Sequence, residues 1–222
     1  MTKLFTEALE SRLLLSGSPI TPFNSTVALD HAQITADLLK FRADLAGNHA
    51  TLFADLLQIR KDGGTDSVTL NPLVDKYRTD HKSMEAALKS DRLAERKNVF
   101  NDEKTILADF KQIRMDKGNT AALSADHAKL LTDRITLQND MIAGLNSRIS
   151  SRQAFSTILV NDAQAVVDGV NADATASDAL KADVTKWSTD HAAANTRLSD
   201  DLTTLVIDRA KLVNDLTAMQ SA

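Results

Sequence analysis

The chain has 222 residues, 43% of them hydrophobic and 25% charged, with a formal net charge of -4 and the two signs mixed along its length. Aromatics at 4%, seven Gly and three Pro argue against a ring-filled globule and for long elements with few turns, hence an all-α chain. The lack of cysteine excludes disulfides, thiolate metal sites and a cysteine nucleophile. The lack of a basic stripe argues against nucleic acid, and no apolar run reaches the roughly 18–20 residues of a transmembrane helix.

The first residues stand apart. Leu13, Leu14 and Leu15 form the longest apolar run there, directly after Glu10 and Arg12. A secretory signal needs an apolar stretch of roughly 7–15 residues. Leu4, Phe5, Ala8, Leu9 and Arg12 fall at helical spacing, so a short amphipathic helix is one reading. Phe5, Leu9, Glu10, Arg12, Leu14, Leu15 and Ser16 also resemble the LEPR-XLL type N-terminal motif of exported and surface proteins of Planctomycetes and their relatives. The resemblance covers about residues 5–16 and departs at Ser11, where Pro, Asp or Glu is common. It implies export or surface sorting for residues 1–16 and says nothing about the body of the chain. Residues 17–25 hold two of the three prolines and read as a flexible linker.

Four long segments follow, at about 26–62, 72–117, 120–168 and 176–220, separated by Gly63-Gly64, Gly118-Asn119 and Gly169-Val170-Asn171. Gly is common just past a helix end. The start signals are Asn24-Ser25-Thr26, then Asn71 before Pro72, then Asn119-Thr120 or Ser124, then Thr175 or Ser177 with Asp178 in the first turn. In the first segment Ile34, Leu38, Phe41, Leu45, His49, Leu52, Leu56 and Ile59 form a heptad seam with one stutter. The fourth has a seam from Val184 through Trp187, His191, Leu198, Leu205 and Leu212 to Met219, and the second ends Val99, Glu103, Ile106, Phe110, Ile113. Short loops favour antiparallel neighbours. The expectation is an elongated antiparallel, up-down-up-down four-helix bundle or coiled coil over residues 26–222.

The segments resemble one another. Asp-His pairs place His31, His81, His127 and His191 one per helix. Asp30, Asp37 and Asp44 align without a gap with Asp126, Asp133 and Asp140, and Asp102, Asp109, Asp116 and Asp201, Asp208, Asp215 are further sevenfold runs. These are diverged internal helix repeats. Nearly every Asp of these runs immediately precedes a seam residue, which predicts a solvated carboxylate row flanking the core.

Two readings of the four histidines follow. They are either polar layers that fix register or metal ligands of the kind four-helix bundles build. Adjacent Asp and His point about 100° apart on a helix, and no Glu-x-x-His accompanies them, so the polar layer is preferred. No catalytic fingerprint is present, and no cofactor is called for. The sequence therefore reads as a non-enzymatic exported or surface-associated protein with a structural or protein-interaction role. Its partner is another protein or itself, since imperfect heptads also pair between chains. The alternatives are a metal- or ligand-binding bundle using the Asp-His pairs, and a cytoplasmic coiled-coil scaffold.

Overall fold

The computed structural model describes residues 23–63 and 70–221. The LEPR-XLL-like segment at residues 5–16 lies outside them. The chain is all-α, with α1 at Phe23–Asp62, α2 at Leu70–Met115, α3 at Thr120–Ala172 and α4 at Asp178–Gln220. The helices pack against one another as a four-helix bundle.

The ends follow local chemistry. Gly63 closes α1 by donating its backbone N–H to the Ile59 carbonyl at 2.8 Å. Asn119 caps α3, its Oδ1 accepting from the Ala122 N–H at 3.2 Å. Ser177 caps α4 in the same way, accepting from the Leu180 N–H at 3.1 Å. Asp173 builds the turn between α3 and α4, its Oδ1 accepting from the Thr175 N–H at 2.8 Å and the Thr175 hydroxyl at 2.6 Å.

Helix α2 runs two residues earlier than expected at both ends, which puts Asn71 and Pro72 inside it rather than at its start, and α4 begins two residues later than expected. Two boundaries differ by more. Helix α1 begins at Phe23, so the last residues of the expected linker are helical. Helix α3 runs through Gly169 to Ala172 instead of stopping at 168. Gly169 is a close-approach residue, because a Cβ there would sit 2.7 Å from the Leu73 side chain of α2.

The chain forms two compact units. One comprises residues up to 37, 93–145 and 205–222; the other comprises 38–92 and 146–204. The first has an aliphatic interior in which Ile34, Leu137, Leu145, Leu205 and Leu212 are buried. In the second, Leu159, Ala163, Val166, Val184, Tyr77 and Trp187 pack into one cluster. Tyr77 meets Trp187 edge-on, with ring centroids 4.8 Å apart.

The fourth-segment seam is buried almost throughout, with Val184, Trp187, His191, Leu198, Leu205 and Leu212 all inside. The second-segment residues Val99, Ile106 and Ile113 are half-buried. In α1 most of the expected seam faces inward, with Ile34 buried and Leu38, Phe41, Leu45, Leu52 and Ile59 half-buried, but at two positions the inward residue is the one before. Asn48 and Asp55 are buried, whereas His49 and Leu56 are exposed.

Candidate functional site

Burial of the carboxylates overturns the expected solvated row. Asp30, Asp55, Asp109, Asp162 and Asp201 are only 4–7% exposed. The carboxylates form the interface because each helix pair runs antiparallel with its Asp positions level. Between α1 and α4, Asp30 faces Asp215, Asp37 faces Asp208, Asp44 faces Asp201, Asp55 faces Asp190 and Asp62 faces Asp183. Between α2 and α3, Asp80 faces Asp162, Asp102 faces Asp140, Asp109 faces Asp133 and Asp116 faces Asp126. Asp91 accepts instead from the hydroxyls of Ser147 at 2.7 Å and Ser151 at 2.6 Å. Every step of seven or eleven residues along one helix is matched by an equal step back along its partner. Both steps are close to whole numbers of helical turns, so each returns a side chain to the same face.

Lysine joins five of these pairs. In the first unit, Lys211 reaches Asp30 and, at 3.5 Å, Asp215, and Lys129 reaches Asp109 and, at 2.7 Å, Asp133. In the second unit, Lys40 joins Asp201 and Asp44, Lys76 joins Asp162 and Asp80, and Lys186 joins Asp55 and Asp190. Each fork has the same construction. The lysine holds the Asp four residues on in its own helix and the buried Asp of the neighbouring helix. Its stem lies on the surface while the ammonium covers the pair. The signal in the sequence is Lys-x-x-x-Asp, present at 40, 76, 129, 186 and 211. Spacing within one segment does not reveal it as a fork, because the third member comes from another helix.

The two carboxyls of a fork are electrostatically unequal. Burial raises the pKa of Asp30 and of Asp109. The lysine hydrogen bond lowers Asp44, Asp80 and Asp190. Burial opposes the same effect at Asp133, where Lys129 and Asp109 prevail and the pKa falls. The ammonium pKa of each fork lysine is raised by the hydrogen bonds it donates to the carboxylates.

Four pairs have no lysine of their own. Burial, reinforced by Asp140 and Asp133, pushes Asp102 up to about 6. Burial and then Asp37 do the same to Asp208, also to about 6. Asp126 and Asp183 are raised by burial and by Asp116 and Asp62 respectively. The buried Oδ2 atoms of Asp102, Asp126, Asp183 and Asp208 have no other hydrogen-bond partner. Protonation of one carboxyl of a pair lets it donate to the other, and like charges held close disfavour double ionisation.

The histidines do not act alike. His191 is 3% exposed, set edge-on to Tyr77 at 5.3 Å and tilted against Trp187 at 6.2 Å. Its Nδ1 has no hydrogen-bond partner, and burial followed by repulsion from His81 pushes it down to about 4. His81 stacks at 6.0 Å on the same tyrosine, lies 3.6 Å from Glu85, and is lowered by burial. The structure thus brings His81 and His191 together around Tyr77. His31 is half-buried, with its backbone carbonyl accepting from the Thr35 hydroxyl at 2.8 Å, and His127 is exposed. Among the described residues no group of three or more His, Asp or Glu is arranged to hold a metal ion.

Further polar ties complete the interface. Arg209 donates to Gln138 at 2.6 Å and Gln220 to the Thr132 hydroxyl at 2.7 Å in the first unit, and Arg197 donates to Asn48 at 2.9 Å in the second. No helix among the described residues is long and apolar enough to cross a membrane. No protein-family model, curated protein or solved structure matches this chain.

Proposed function

We propose that this chain is a non-enzymatic helical protein with a structural or protein-interaction role, exported or held at the cell surface through its LEPR-XLL-like segment. The observation that carries the structural part is the ladder. Its charged side chains tie one helix to the next at fixed register, with lysines turned to each other helix's carboxylates. Ionic ties of this kind specify alignment more than they add stability, because desolvating the charges offsets much of their attraction. The uneven alternation of seven- and eleven-residue steps supports this reading. Sliding a helix by one heptad sets an eleven-residue gap against a seven-residue one and leaves buried carboxylates facing no lysine.

Localisation is carried by Phe5, Leu9, Glu10, Arg12, Leu14, Leu15 and Ser16. The test is fractionation of host cells expressing the tagged full chain, with protease treatment of intact cells. The expected result is a protease-accessible surface or extracellular pool that disappears when Arg12, Leu14 and Leu15 are replaced by Ala. Finding wild type wholly in the cytosol overturns the surface assignment and favours a cytoplasmic scaffold.

A further inference from the structure

Helix α1 carries a second seam, on the face opposite its carboxylates. Leu29, Leu39, Phe53 and Leu57 are 69%, 58%, 64% and 52% exposed. Ala32, Ala36, Ala43, Ala46 and Ala50 fill the positions between them and are exposed as well. The nine residues follow strict three-four spacing without a polar interruption, a heptad seam about 42 Å long at 1.5 Å per residue. The outward face of α4 is unlike it, presenting Lys186, Thr189, Thr196, Asp200 and Thr203. An apolar stripe of this length on one helix marks an interaction surface.

From its pattern of side-chain sizes, we infer that this face pairs antiparallel with α1 of a second copy of the chain. With the two-fold axis between Asp44 and Leu45, Ala32 meets Leu57, Ala36 meets Phe53, Leu39 meets Ala50 and Ala43 meets Ala46. The same contacts recur on the other side of the axis, as an isologous interface requires. The three layers on either side of the central alanines each set a large side chain against a small one, the arrangement that lets facing layers interdigitate, and Leu29 at the end of the seam comes opposite Arg60. Parallel pairing instead stacks Leu39 on Leu39 and Phe53 on Phe53, with Ala43 on Ala43 and Ala46 on Ala46 between them. That leaves bulges beside gaps.

Space agrees with the antiparallel choice. Lys40 flanks the seam and comes opposite Gly47 of the other copy. A Cβ at Gly47 would meet nothing within 4 Å inside its own chain, so there is room for the lysine stem. A lipid surface fits less well, because membrane binding scales with buried apolar area and five of the nine positions are alanine.

This inference rests on the protein-interaction reading above and names the partner. The test is sedimentation equilibrium of the full chain across the micromolar range. The expected result is twice the 24.1 kDa chain mass for wild type and the single mass for Ala46→Glu, with the helical circular dichroism unchanged. Should Ala46→Glu lose helix, Leu39→Lys is the second disrupting variant. Because the chain has no cysteine, orientation is read from Ala36→Cys and Phe53→Cys. Oxidation of the mixture should give the Ala36–Phe53 cross-linked heterodimer, and each variant alone should give little disulfide. Three results overturn the inference: a monomeric wild type, a dimer that survives Ala46→Glu and Leu39→Lys, or homodisulfides that form as readily as the mixed one. A monomer that binds anionic vesicles through this face assigns it to lipid. A monomer found at the cell surface overturns the pairing alone and leaves the localisation reading standing.

Discussion

The two compact units use one ladder but complete it with different chemistry. The first has two lysine forks, at Lys129 and Lys211, and three facing carboxyl pairs without a lysine of their own, at Asp37–Asp208, Asp102–Asp140 and Asp116–Asp126. The second has three forks, at Lys40, Lys76 and Lys186, and a single such pair at Asp62–Asp183. It adds the Tyr77–Trp187 contact and the buried neutral His191. The same backbone solution therefore responds to acid in opposite directions. A carboxyl pair that holds a proton is favoured by acid, whereas a histidine that must stay neutral is opposed by it.

The largest expected effect is a truncation at the centre of the second unit. Trp187→Ala removes a side chain that is 3% exposed and should cost about 3–5 kcal/mol, read as a lowered urea midpoint by circular dichroism. A smaller loss there would mean that the aromatic contact does not distinguish the two units.

Next is the acid response. His191 has its folded pKa depressed from 6.5 to about 4, so the unfolded state binds the extra proton between those values. Stability of the second unit is complete above pH 6.5 and falls as pH drops toward 4, by about 3 kcal/mol from this group. Trp187, the single tryptophan, reports it by fluorescence. His191→Phe should flatten the fluorescence midpoint across that window.

Removing a fork lysine comes third. Lys129→Met leaves Asp109 buried without its cation, at a cost of about 1–3 kcal/mol at pH 7. The penalty should shrink below pH 4, where the carboxyl is neutral. Denaturant midpoints of wild type and variant at the two pH values measure it, and an equal penalty at both would show that lysine packing, not charge, supports the fork.

The smallest effect sharpens the comparison from the other side. Asp102 and Asp208 have folded pKa values raised to about 6, so their contribution is present below the unfolded value of 3.8 and is lost as pH rises through 6. Asp102→Asn should stabilise the first unit at pH 7 by about 1 kcal/mol, after allowance for solvent screening, and leave it unchanged near pH 4. Amide exchange of α2 and α3 in residues 93–145 resolves this from the second unit.

By itself the amino-acid order determined the helical class, the four segments and most of the α4 seam, and it narrowed the caps of α3 and α4 to a few residues that include Asn119 and Ser177. These depend on spacing and on capping chemistry within a few residues, which one segment expresses alone. The repeat of Asp at heptad positions was equally legible, but its meaning was not. Whether a residue beside an apolar seam faces water or a neighbour depends on how far the helix is rotated about its axis, and in α1 that rotation buries Asn48 and Asp55 and exposes His49 and Leu56. Only the tertiary structure decided that Asp30 meets Lys211, that His191 lies against Tyr77, and that Gly169 makes room for Leu73. Each is a contact between helices distant in the chain, where packing chooses one register among several that local periodicity allows.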